Sequence, residues 1–164
     1  MSSTYEPIAT STLGSAQATV TFSSIASTYT DLVLVSNNLS ATNQNALSIR
    51  VGNGSVDSGT NYSVTFMYGT GSSAVSGRGS NNTFLIVGRS TSEWSTGITQ
   101  FMNYANTSVY KTVLSRGSAA NAIDITYVNL WRSTSAINIM TIGTEVGGNI
   151  SAGSTFTLYG IKAE

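Results

Sequence analysis

The sequence predicts an all-β chain: an antiparallel two-sheet sandwich, jelly-roll-like, of about ten strands. Three observations point there. Apolar and polar residues alternate at a period of two in run after run, which describes strands with one buried face. Clusters of Gly, Asn and Ser separate these runs at short intervals, and such residues take the backbone angles that tight turns need. No window carries the apolar stripe of a helix.

Taken in order, residues 1–15 read as a short extended N-terminal arm and residues 16–164 as a single sandwich domain. Pro7 is the only proline and sits in the arm, where its missing N–H costs no sheet hydrogen bond. Ala16, Ala18, Val20 and Phe22 share one face of the first strand. Runs 31–36 (DLVLVS) and 83–88 (TFLIVG) are apolar on both faces and suit central or inter-sheet strands. The alternation returns in Leu47/Ile49/Val51, Tyr62/Val64/Phe66/Tyr68, Ile123/Ile125/Tyr127 and Phe156/Leu158. Segments 97–104, 108–115 and 136–142 supply the remaining strands. Asn37-Asn38, Gly52-Asn53-Gly54, Gly69 to Gly79, Arg116-Gly117-Ser118 and Gly147-Gly148-Asn149 read as the connections.

Composition narrows function mainly by exclusion. The 164 residues include 27 Ser, 23 Thr and 14 Asn but only 7 basic and 7 acidic side chains, with no His and no Cys. Without His and Cys, zinc and iron–sulfur sites of the ordinary kinds are excluded, as are Ser–His and Cys–His nucleophile pairs. A net charge of zero gives no steering toward nucleic acid or an anionic membrane, and no apolar run approaches a membrane span. No catalytic residue, metal ligand or cofactor is expected. Near-neutrality favours association, and sheet edges with few charges invite pairing with other copies.

Four constellations are candidates for chemistry. Asp31 and Asp124 would make a glycosidase pair only if they faced each other across about 5–10 Å; otherwise Asp31 starts a strand and Asp124 faces solvent. Gly69-x-Gly71 with Gly77-x-Gly79 lacks the following helix that a phosphate loop requires, so it reads as a flexible loop. Asp57 with Asn53, Ser55, Ser58 and Asn61 offers oxygen ligands but no EF-hand spacing, and a turn is the simpler reading. Trp94, in a polar stretch, suits an exposed stacking residue, whereas Trp131 either closes one end of the core or anchors a partner.

Segments 5–25 (YEPIATSTLGSAQATVTFSSI), 29–35 (YTDLVLV), 103–116 (NYANTSVYKTVLSR), 130–142 (LWRSTSAINIMTI) and 152–163 (AGSTFTLYGIKA) resemble small virion proteins of tailed bacteriophages. Related segments also occur as terminal modules of phage tail-fibre proteins. The resemblance implies a non-enzymatic capsid decoration, or cement, protein on the capsid exterior. Its partners would be the major capsid protein and copies of itself, as a homo-oligomer such as a trimer. Tyr5, Pro7, Ile8 and Leu13 of the arm, with Trp94 and Trp131, are the partner-binding residues on this reading. The alternative is a receptor- or glycan-binding module of a tail tip or fibre that uses Trp94, Tyr104 or loop Asn and Asp groups.

Overall fold

The computed structural model describes residues 4–38, 46–89, 94–119 and 122–162, with the side chain of Asn38 excepted. Thirteen strands follow one another: β1 (Tyr5–Thr12), β2 (Val20–Phe22), β3 (Asp31–Asn38), β4 (Ala46–Asn53), β5 (Ser55–Val56), β6 (Tyr62–Gly69), β7 (Ala74–Asn82), β8 (Leu85–Arg89), β9 (Ser95–Phe101), β10 (Lys111–Ala119), β11 (Ile123–Trp131), β12 (Ile139–Thr144) and β13 (Thr155–Ile161). They form an antiparallel two-sheet sandwich of jelly-roll type. One sheet has eight strands in the order β1-β13-β3-β9-β10-β11-β6-β7, and the other has five, β2-β12-β4-β5 with β8 also paired to β4.

The alternating residues do what their period dictates. Val20, Phe22, Leu47, Ile49, Val51, Met140 and Ile142 of the smaller sheet meet Leu32, Leu34, Phe101, Val113, Phe156 and Leu158 of the larger one in the main core. A second cluster, around Val64, Ile123, Ile125 and Tyr127, extends the interior beneath β6 and β11. Burying such side chains contributes roughly 1.5–3 kcal/mol each against the entropy of ordering the chain.

Several elements differ from the sequence reading. The run beginning at Ala16 is paired as a strand only over Val20–Phe22, because Ala16 and Ala18 face solvent and gain nothing from sheet burial. Strand 136–142 is shifted to Ile139–Thr144, and 97–104 and 108–115 become Ser95–Phe101 and Lys111–Ala119. The Gly-rich stretch from 69 to 79 is the end of β6, a turn at Gly71 (φ 83°) and most of β7. Gly77 lies opposite Phe66, and a Cβ there would come within 2.6 Å of the Phe66 ring. These glycines are places for the rings of β6 rather than a nucleotide cradle.

The segment read as an arm lies on this chain's own sandwich. Its β1 pairs with β13 and shifts register between Pro7 and Ala9. Ile8 packs against the main core and Leu13 is buried within it. The ion pair between Glu6 and Lys162 (2.8 Å) fastens the same edge. With a proline and a bulge, β1 is a blunted edge.

The free edge of β8 is closed from inside the molecule. Asn129, on the inner face of β11, accepts a hydrogen bond from Ile86 N–H (3.0 Å) and donates one to Ile86 C=O (2.8 Å). Register slips where Val87 bulges out of the β4 ladder, and the Val87 carbonyl accepts from the Ser115 hydroxyl. Side chains of the large sheet thus stand in for the missing neighbouring strand. The expectation that another copy covers the uncharged edges does not apply to this one.

Lys111 begins β10 on the inner face and is fully buried. Its Nζ donates to the Val109 carbonyl (2.8 Å) and the Thr134 carbonyl (3.2 Å), and burial holds its pKa below the usual lysine value of 10.5. Between that depressed value and 10.5 the unfolded chain binds the proton that the folded chain has lost, so stability rises with pH across this window. Lys111→Met is expected to remove the rise, measured as urea unfolding free energies from pH 7 to 10. An unchanged slope would contradict the assignment.

Candidate functional site

On the large sheet, residues that alternate with the buried ones face away from the smaller sheet. Register places them in level rows. One row runs Tyr159, Val33, Gln100, Leu114, Val128, Thr65; the next runs Thr157, Val35, Ile98, Arg116, Thr126, Met67; a third runs Thr155, Asn37, Thr96, Ser118, Asp124. Neighbours within a row stand about 4.5–5.5 Å apart. Over β3, β9, β10 and β11 these rows border a hollow of about 800 Å³. A second hollow of about 460 Å³ adjoins it at Asp124 and Thr126, toward Met67 and Val75.

The hollow has a local cause. Beneath it the inner face carries Ser36, Gly97, Ser115 and Gly117, all small. A Cβ on Gly117 would stand 3.4 Å from the Cα of Gly88 on β8, and one on Gly97 would stand 2.9 Å from Ser36 Oγ. Sheets packed face to face usually lie about 10 Å apart, whereas small residues let backbones approach and draw the sheet inward. Thr99 and Ser115 share a hydrogen bond of 2.9 Å in this layer, so the dip is stitched as well as narrow.

The floor of the hollow is aliphatic and its margin polar. Val35, Ile98 and Leu114 form that floor and are 39–57% exposed, and the exposed Val128 and Met67 continue the aliphatic band beyond the hollow on the same open face. Asn37, Thr96, Ser118 and Asp124 border it on one side, and Arg116 stands among them. Among the described residues the ion pair is Lys162–Glu6, and neither Arg116 nor Asp124 has an opposite charge within bridging distance. Gln100 is oriented by Asp31, whose Oδ2 accepts from its Nε2 (2.9 Å) while Oδ1 accepts from Asn103 N–H (2.8 Å). Trp94, 49% exposed, precedes Thr96 by two residues on the same side, and its ring edge lies 3.4 Å from the Cβ position of Gly153. Gly153 has φ of 84°, a left-handed angle that favours glycine.

The other residues singled out from sequence fall elsewhere. Tyr5 is exposed and packs edge-on against Tyr159, with centroids 6.4 Å apart; Pro7 is exposed beside it on β1. Ile8 and Leu13 serve the core of this chain. Trp131 is 2% exposed, stacked on Tyr62, so it offers no ring face to a partner. Tyr104 is also buried, its hydroxyl donating to the Ala26 carbonyl, and is no stacking platform.

The carboxylates do not assemble a catalytic pair. Register sets Asp31 level with the end of β11 opposite to Asp124 and three strands away, an offset of roughly 20 Å along the strands and roughly 14 Å across them. Asp57 accepts from Gly59 N–H (2.8 Å), Asn61 Nδ2 (2.9 Å) and Trp131 Nε1 (2.8 Å). Burial raises its pKa, but these hydrogen bonds outweigh that and hold the carboxyl below its ordinary 3.8. Asn53 bonds instead to Ala136 and Asn138, so the oxygen ligands for calcium do not converge. Among the described residues no three of His, Cys, Asp and Glu group as a metal site would require.

No family model and no curated protein matches the chain. Among solved structures it is similar to a homodimeric agglutinin from chicken liver, at 9% identity over 84% of this chain and 98% of that one, with a TM-score of 0.38. It is also similar to a galectin of Caenorhabditis elegans, at 8% identity over 91% of this chain and 94% of that one, with a TM-score of 0.36. At these identities the likeness is one of fold. The resemblance to phage virion proteins thus has no counterpart among family models or curated proteins, and the solved structures found include an agglutinin and a galectin. The expectations built on it are corrected: capsid decoration, the major capsid protein and a capsid-bound trimer as partners, and a place on the capsid exterior.

Proposed function

We propose that the chain is a non-enzymatic glycan-binding module that seats a saccharide in the hollow on the open face of its large sheet. The observation that carries this reading is the pairing of an unengaged Arg116 and an unengaged Asp124 beside a row of hydroxyl and amide side chains. A sugar presents adjacent hydroxyls, each both donor and acceptor, around apolar C–H faces. Arg116 supplies donors only, Asp124 acceptors only, and Asn37 both; their opposite charges suit a neutral ligand. Hydrogen bonds to ionised groups are about twice as strong as neutral ones, and the exposed Trp94, two residues before Thr96, offers a ring for stacking.

The test is a glycan array followed by titration calorimetry on the saccharides retained. Arg116→Ala is expected to weaken binding about tenfold or more, from the loss of charge-assisted hydrogen bonds, with thermal stability unchanged because the side chain is exposed. Retained saccharides whose affinity ignores both Arg116→Ala and Asp124→Ala would overturn the reading, as would an array with no binding.

A further inference from the structure

Resting on that reading, we propose that the saccharide recognised here carries acetamido groups, with an acetyl methyl seated on the aliphatic floor between Val35, Ile98 and Leu114. A sugar bearing only hydroxyls meets this floor poorly. The flat C–H face of a pyranose is matched by a flat aromatic ring, yet the floor is built from branched aliphatic chains and no aromatic ring lines the hollow among the described residues. Pressing hydroxyls against those side chains would strip them of water without replacing their hydrogen bonds. A methyl group loses nothing there and gains burial.

The surroundings fit the rest of an acetamide. Val35 and Ile98 stand directly opposite each other, as do Ile98 and Arg116, so a methyl on Ile98 has the stem of Arg116 as its cross-strand neighbour. Arg116 then donates to the acetyl carbonyl. Asn37 follows Val35 on the same face and its amide oxygen accepts the acetamido N–H. One apolar notch, one donor and one acceptor therefore match the three parts of the group in order. The group is neutral, as is the sum of Arg116 and Asp124.

The experiment uses matched probes, β1-4-linked tetramers of N-acetylglucosamine and of glucose, within an array containing other acetamido and hydroxyl pairs. Burial of one methyl corresponds to about fourfold in affinity, so acetamido members are expected to bind at least that much more tightly than their hydroxyl counterparts. Ile98→Ser and Leu114→Ser, both at exposed positions, are expected to erase the difference while the melting temperature holds. Equal or tighter binding of the hydroxyl members would overturn the acetamido assignment and leave glycan binding in place. Absence of binding across the whole array would remove both.

Discussion

Trp131→Ala is expected to lower the unfolding free energy by about 3–5 kcal/mol, the range for truncating a large buried aromatic. The indole is stacked on Tyr62 with centroids 6.5 Å apart and an interplanar angle of 18°, and its Nε1 donates to Asp57 Oδ2 at 2.8 Å. Tyr62, fully buried, shares its proton between the Asp57 carbonyl (2.8 Å) and the Val51 carbonyl (3.1 Å) and accepts from Val51 N–H (3.3 Å). Trp131 therefore holds the end of β11 to the Asp57 turn and, through Tyr62, to β4 of the other sheet. Trp131→Phe separates packing from the hydrogen bond. Asp57 has a depressed pKa, so its contribution is present above the unfolded value of 3.8 and is lost as pH falls through the folded one. In Trp131→Phe that acid-side loss is expected to shrink, measured by urea unfolding from pH 2 to 6. A loss below about 1 kcal/mol for Trp131→Ala would place the residue on the surface after all.

Asn129→Ala is expected to cost about 2–4 kcal/mol, because it leaves both the N–H and the carbonyl of Ile86 without partners in a largely dry layer. Asn129 is 1% exposed, and the Ser115 hydroxyl, which reaches the neighbouring Val87 carbonyl, leaves the Ile86 groups to Asn129. Asn129→Asp retains the acceptor but sets a carboxylate oxygen against the Ile86 carbonyl, so it is not expected to rescue. An unpaired edge also templates pairing between chains, and the alanine variant is expected to self-associate in sedimentation velocity runs where the parent does not. A variant with parental stability and no association would show that β8 closes by other means.

Much of the fold was legible because the period of two survives wherever one face is buried, as in β10, β11 and β13. It failed where geometry breaks the period. In β1 the bulge between Pro7 and Ala9 shifts the inward positions by one, so the strand read as a short extended arm. In β7 the inward positions opposite Phe66 and Val64 are Gly77 and Gly79, which look like loop residues until the facing side chains are known. The binding face was concealed for another reason. Val33 and Val35 made DLVLVS look buried on both sides, whereas Val35 belongs to an open floor. Its partners Ile98, Leu114 and Arg116 come from strands distant in sequence, and only the order β3-β9-β10-β11 brings them together. Trp94 was identified as exposed from its polar neighbours alone, and it is 49% exposed immediately before β9.

The central claim, that a saccharide occupies the hollow above Gly97 and Gly117, is tested most directly by amide NMR of the labelled chain titrated with a saccharide retained on the array. Shifts are expected to be confined to β3, β9, β10 and β11, strongest around Ile98, Arg116 and Asp124. Shifts centred on β2, β12 and β4, with the large sheet silent at saturation, would contradict it.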